Sequence, residues 1–211
     1  MPGRLESEIV HKSDGSIGFY GNGTEKFNFD GANGTFGPVS GQGTQKIYDV
    51  LDRLRGADGA ALALSETAGD FFLNIGTNQF LVDGEAAINE TEASVGWFTF
   101  TLPADYVAGG EINIRAAAGI VIAGDAVLTS ATIDFSAYKQ AADGTVGSDL
   151  VTTTATAITA TFGNKDFVVT PTGLVAGDVL VVKMTTSVVE EAAGTGAANS
   201  RISRLQVLCD S

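Results

Sequence analysis

One cysteine, one histidine, one tryptophan and four prolines leave this 211-residue chain short of several residue types on which familiar chemistry depends. A lone cysteine, Cys209, cannot close an intrachain disulfide, which excludes a disulfide-stapled scaffold; it reads instead as a small buried apolar residue on a strand. A lone histidine, His11, rules out multi-histidine zinc or iron sites, and its glycine-rich surroundings argue against a rigid Ser-His-Asp or Cys-His system. No apolar stretch reaches membrane-spanning length. The start, Met1-Pro2-Gly3-Arg4-Leu5-Glu6, lacks the charged-then-apolar layout of a signal peptide, so no membrane partner is expected and synthesis in a cytoplasm is. Cations are scarce too: 12 Lys and Arg stand against 25 Asp and Glu, a formal charge of −13. Residues 1–60 hold six Lys/Arg against eight Asp/Glu and residues 61–211 hold six against seventeen. Such acidity repels phosphate backbones and anionic bilayers, so no nucleic-acid partner is expected either.

Glycine is what the chain has in plenty, 27 residues, and the hydrophobic share is 44%. With Ala, Thr and Val abundant rather than Leu, Glu and Lys, this favours short strands joined by tight turns, because glycine supplies positive φ and β-branched side chains pack on a pleated surface. From residue 60 the apolar period is two, and strands are expected over Leu62–Leu64, Asp70–Ile75, Ser94–Leu102, Glu111–Ala116, Ala126–Phe135, Val151–Ala160, Asp166–Thr170, Val179–Thr186 and Arg201–Cys209. Within Ser94–Leu102, the residues Val95, Trp97, Thr99 and Thr101 fall on one face and Phe98, Phe100 and Leu102 on the other. Strands at this spacing predict two packed antiparallel sheets: an all-β, jelly-roll-like sandwich over residues 57–211. Two stretches, Phe98 to Arg115 and Phe167 to Lys183, share a strand, loop and strand around Val-Ala-Gly. They suit opposite ends of a sandwich, where the chain passes between sheets.

Residues 1–56 form a separate unit, a glycine-rich N-terminal arm with small hairpins and one short helix. Asp14-Gly15, Gly21-Asn22-Gly23 and Asn33-Gly34 are turn signals between short apolar pieces. Ile9, Val10, Phe19, Tyr20, Phe27, Phe29 and Phe36 exceed what so short a segment can bury alone, which makes them the candidate docking or oligomer interface. The near-repeat Gly21-Asn-Gly-Thr-Glu-Lys26 and Gly41-Gln-Gly-Thr-Gln-Lys46 lacks the spacing of a phosphate-binding loop and reads as turns. A helix is expected from Thr44, as N-cap, to about Arg55, with Gly56 beyond its end. Ile47, Tyr48, Leu51 and Leu54 then make an apolar stripe, and Asp49, Asp52, Arg53 and Arg55 lie outside it.

The carboxylate pairs Glu190/Glu191, Glu90/Glu92 and Asp83/Glu85 have no aromatic cluster near them in sequence, as a sugar-cleaving acid pair would need, and read as solvated charge. The loop Asp143 to Asp149 lacks the spacing of a calcium-binding loop and reads as a hairpin turn. Asn22, Asn33 and Asn89 head glycosylation sequons that matter only in a secretory pathway. No catalytic residue, metal ligand or cofactor is implied.

Three segments carry a resemblance: Trp97-Phe-Thr-Phe-Thr-Leu-Pro-Ala-Asp-Tyr-Val-Ala-Gly-Gly110; Ala131-Thr-Ile-Asp-Phe135 with Asp143 to Leu150; and Phe167-x-Val-x-Pro-Thr-Gly-Leu-Val-Ala-Gly-Asp178. Together they resemble jelly-roll proteins of tailed-bacteriophage virions, including capsid decoration (cement) proteins, over residues 70–209. The resemblance implies a non-enzymatic outer-capsid protein, a homotrimer that binds the major capsid protein and strengthens the shell. The alternative is a tail-fibre-type receptor- or glycan-binding module, since jelly rolls hold sugars on a sheet or in end loops; exposed aromatics near Trp97 favour it and burial of Trp97 counts against it.

Overall fold

The computed structural model describes residues 7–12, 17–21, 24–30, 35–38, 45–66, 69–76, 79–191 and 195–210. Its strands, in chain order, begin with β1 (Ser7–His11), β2 (Ile17–Gly21), β3 (Thr24–Asp30) and β4 (Thr35–Pro38). These pair in sequence order as a four-stranded antiparallel meander. The register sets Ile9 opposite Phe19, Phe19 opposite Phe27, and Phe29 opposite Phe36. Hairpins are thus present where the arm was expected to form them, although the signals Asp14-Gly15, Asn22-Gly23 and Asn33-Gly34 lie outside the described residues.

The rest of the chain supplies β5 (Gln45–Asp49), β6 (Phe72–Gly76), β7 (Gln79–Asp83), β8 (Thr91–Thr101), β9 (Ile112–Ala123) and β10 (Leu128–Gln140). It continues with β11 (Val146–Asp149), β12 (Thr156–Ala157), β13 (Gly163–Val169), β14 (Val179–Glu190) and β15 (Ala197–Asp210). One sheet runs β11-β10-β14-β8 with β12 on β10; the other runs β13-β9-β15-β7-β6, with β5 on the far half of β15. All the strand pairings are antiparallel. The protein is therefore an all-β, jelly-roll-like sandwich.

Its core lies between the two sheets, for the reason the period-two pattern gave. Phe98 and Phe100 of β8 with Leu102 just beyond it, Ile133 and Phe135 of β10, and Leu180, Val182 and Met184 of β14 are buried against Ile112 and Ile114 of β9, Phe167 of β13, and Ile202, Leu205 and Val207 of β15. The Phe135 and Phe167 rings meet at 4.8 Å between centroids. Each large side chain so enclosed contributes on the order of 1.5–3 kcal/mol. Cys209 is also in this core, where burial pushes its thiol pKa up to about 11. It is protonated and shielded at neutral pH.

The helix expected over Thr44–Arg55 does not form. Gln45–Asp49 is a strand, Leu51–Arg53 a single 3₁₀ turn, and Thr44, the expected cap, lies outside the described residues. Tertiary pairing outweighs the local pattern here. Residues 206–210 of β15 require a partner along their open edge, and β5 supplies a five-residue ladder that Val50 extends by donating to the Leu205 carbonyl at 2.9 Å. Tyr48 then meets Phe100 edge-on at 5.3 Å, and Val50 and Leu54 enter the core while Ile47 faces outward.

The two Val-Ala-Gly units match in three dimensions. In each, a proline carbonyl accepts from the amide three residues on, Pro103 from Tyr106 and Pro171 from Leu174, and both those side chains are buried. Gly109 and Gly177 then take φ of 79° and 85°, and the chain crosses to the other sheet. The two units lie at the same end of the sandwich rather than at opposite ends, because Leu102 exchanges main-chain hydrogen bonds with Gly177 and Asp178. Antiparallel pairing of β8 with β14 brings the end of one to the start of the other.

Candidate functional site

A hollow lies where β8, the edge of one sheet, passes β5 and the segment after it on the other. It is an open cleft of about 700 Å³ lined by Tyr48, Asp52, Arg53, Arg55, Trp97 and Thr99 among others. Its construction follows from two anchors. Val50 and Leu54 are buried to 0% and 2% exposure, so the 3₁₀ turn between them is held against the core and Asp52, Arg53 and Arg55 are left in solvent. Arg55 then docks on the edge of β8: its amide donates to the Trp97 carbonyl at 2.8 Å and its carbonyl accepts from the Trp97 amide at 3.0 Å. Gly96 permits that approach. A Cβ there would stand 3.0 Å from the Arg55 carbonyl oxygen, Leu54 Cδ1 and Phe71 Cδ2 alike.

Trp97 is half-buried on the outer face of its sheet, where the alternation in β8 places it. Lys183, directly opposite on β14, lies over the indole with Nζ 5.6 Å from the ring centroid. Because Trp97 spends its main-chain groups on Arg55, the amides and carbonyls of Thr99 and Thr101 point to the same outer edge, away from β14. There they meet the cleft and no strand pairs with them among the described residues. At the near rim Lys46 pairs with Asp105, which raises the lysine pKa and lowers the carboxyl. Burial pushes the Tyr48 hydroxyl pKa up, so it remains a neutral donor.

The other groups singled out in the sequence sit elsewhere. Asp83 and Glu190 were expected as solvated charge, but both are buried, because each satisfies groups that would otherwise be orphaned. Asp83 takes a two-pronged ion pair from Arg201 at 2.6 and 2.7 Å and a third bond from Asn74. Glu190 accepts from the amides of Asn89 and Val127, tying two loops to the end of β14. Glu191 is exposed. Glu85 accepts from the Gly69 amide, and Glu92, at the start of β8, has its pKa raised by burial and by the nearby Glu85 and Glu90. No group of three or more His, Cys, Asp and Glu side chains among the described residues is placed to hold a metal. The Asp143 to Asp149 segment is the expected hairpin: Ala141 and Thr145 close the turn, Gly144 takes φ of 86°, and β11 returns along β10. His11 falls in β1 opposite Ile17. The arm residues Ile9, Val10, Phe19, Tyr20, Phe27, Phe29 and Phe36 are spread over β1–β4.

Arg53 and Arg55 escaped sequence reasoning because the helical pattern assigned them to a solvated face. The signal that could have found them is the spacing of Val50 and Leu54, which anchors a short turn and leaves charged residues on both sides of Leu54.

No protein-family model and no curated protein matches the chain. Among solved structures it is similar to the CBM22-1 xylan-binding domain of Xyn10C from Paenibacillus barcinonensis, at 14% identity over 70% of this chain and 99% of that one, with a TM-score of 0.30. A CBM4 structure follows at 12% identity, 66% and 89% coverage and a TM-score of 0.31. A carbohydrate-binding module of the β-sandwich superfamily shows 11% identity, 98% and 99% coverage and a TM-score of 0.31. At that level of likeness they identify no ligand for this chain, and none of them bears on capsid decoration.

Proposed function

We propose that the chain is a non-catalytic recognition module whose cleft at the end of β8 binds a glycan. The observation that carries this reading is the half-buried Trp97 in an open cleft beside Asp52, Arg53, Arg55 and the outward main chain of Thr99 and Thr101. A sugar ring offers an apolar face of C–H groups and a rim of hydroxyls. An indole flank with hydrogen-bonding groups converging around it matches both, and a few placed polar groups in an otherwise apolar hollow is the general form of a ligand site. Trp97 is the chain's one tryptophan, so its fluorescence reports the cleft directly. Titration with soluble polysaccharides should give a saturable change in that emission, and Trp97→Ala should abolish retention in affinity electrophoresis. Retention unchanged by Trp97→Ala would defeat the reading.

A second reading, a virion decoration protein on the outer capsid surface, draws on the arm. β1–β4 form a meander that no strand of the sandwich pairs with among the described residues, as a docking module would. On this reading Ile9, Val10, Phe19, Tyr20, Phe27, Phe29 and Phe36 meet the major capsid protein in a homotrimer assembled in the host cytoplasm. Removing residues 1–43 should abolish capsid binding and change the native mass seen by light scattering. Full capsid occupancy by the truncated chain would exclude it.

A further inference from the structure

The cleft carries charge of the opposite sign to the chain. In a protein with 12 Lys and Arg against 25 Asp and Glu, Arg53 and Arg55 line one hollow in which Asp52 is the acid, and Lys183 stands over the Trp97 ring at its margin. Elsewhere Lys46 pairs with Asp105, Arg115 with Asp166, Lys139 with Asp178 and Arg201 with Asp83, while Lys165 and Arg204 stand singly, Arg204 bonded to the Asn164 side-chain oxygen. Arg53, Arg55 and Lys183 have no such partner within ion-pair distance among the described residues. Their approach to one another is imposed by the fold. Leu54 fixes the arginines, and the pairing of Lys183 with Trp97 fixes the lysine. With Asp52 as the one acid lining the hollow beside two arginines, the hollow keeps a net positive charge that a bound anion would meet.

We infer that the cleft takes an acidic sugar, a polysaccharide whose repeating unit bears a carboxylate. This rests on the glycan reading of the cleft and narrows it to a substrate class. The guanidinium of Arg53 or Arg55 receives the carboxylate through two parallel N–H bonds, a geometry that a lysine cannot offer. The sugar ring lies against Trp97. Its hydroxyls reach Asp52 and the open main chain of Thr99 and Thr101, which supply acceptors and donors that a carboxylate alone would not use. The acidic body opposes a polyanion only at long range. At about 0.15 M salt, charges separated by more than roughly 8 Å are screened, whereas contacts inside the cleft persist.

The test uses the full chain at that ionic strength with two polymers of one backbone, polygalacturonate and its fully methyl-esterified form, and with poly-glutamate as a polyanion that is not a sugar. The expected result is polygalacturonate bound at least tenfold more tightly than the ester. Arg53→Gln and Arg55→Gln should each weaken the acidic polymer about tenfold and the ester by a clearly smaller factor, with circular dichroism unaltered, since both side chains are exposed. Equal binding of polygalacturonate and ester overturns the acidic-sugar inference and leaves the glycan reading standing. Equal binding of poly-glutamate, with the same arginine dependence, overturns it by showing that the cleft reads charge and not a sugar. Binding of none of the polymers, or of any neutral polysaccharide, removes both the inference and the reading beneath it.

Discussion

The two ends of β8 carry opposite charge, and different loops put it there. At the start of the strand Glu92 lies close to Glu85 and Glu90, three acids whose mutual repulsion and partial burial raise the Glu92 pKa. At the other end Trp97 and Thr99 meet Arg53 and Arg55, with Lys183 beside the indole. The strand itself is uniform: inward Gly96, Phe98 and Phe100 alternate with outward Val95, Trp97, Thr99 and Thr101 along its second half. The charge at each end is thus decided by what the loops bring to the edge of a regular strand, the usual division between a rigid scaffold and variable loops. The acidic end faces loops tied down by Glu85 and Glu190. The cationic end faces an opening.

That comparison can be broken from its basic end first. Leu54→Ala should have the largest effect, because it empties a core position and loosens the turn that aims Arg53 and Arg55. A cost of about 2–5 kcal/mol in urea unfolding is expected, together with loss of glycan binding. Gly96→Val should come next. The added atoms collide with the Arg55 carbonyl, so the loop must leave the β8 edge, and binding should fall at least tenfold with a stability loss of about 1–3 kcal/mol. If Gly96→Val bound normally, the Arg55 loop would not be part of the site. Trp97→Ala should remove binding while costing less stability than Leu54→Ala, since the ring is only half-buried. A thermal melt compared with a binding assay separates the two effects.

The smallest change is expected at the acidic end, and it has a defined sign. The native Glu92 carboxyl has a pKa above its ordinary value of 4.5, so the folded state binds that proton more tightly than the unfolded chain does. Stability therefore rises as pH falls through the native pKa towards 4.5, and the ionised group is a cost at neutral pH. Glu92→Gln should raise the melting temperature at pH 7, and the gain should vanish near pH 4. Ligand binding at the other end of β8 should not change. A parallel loss of binding would mean that the two ends are coupled rather than independent.

Much of the fold was legible in the sequence because one side of each long strand must be apolar. The alternation in β8, β13 and β14 follows from period two alone, and the reading of Cys209 as a core residue from the apolar character of a free cysteine. The short strand β7 was not legible: Phe80-Leu81-Val82 is an apolar run too brief to show a period, and Asp83 is acceptable inside only because Arg201, 118 residues away, neutralises it. Residues 151–160 erred in the other direction. Their threonines and valine suggest one strand, yet only Thr156–Ala157 forms one, on β10, while Val151 makes a single bridge to Val169 of β13.

By itself, the sequence determined the class of fold, the acidic balance of the chain and the apolar inward face of its long strands; Gly56, expected at a left-handed helix end, is not among the glycines that take positive φ. The tertiary structure alone decided that residues 45–53 would be strand and turn, because the free edge of β15 offered more hydrogen bonds than a short isolated helix could keep in water. It also decided the cleft. Arg53, Arg55, Trp97 and Lys183 span 131 positions of the chain, and only antiparallel pairing of β8 with β14 and the docking of Arg55 on Trp97 bring them to one edge.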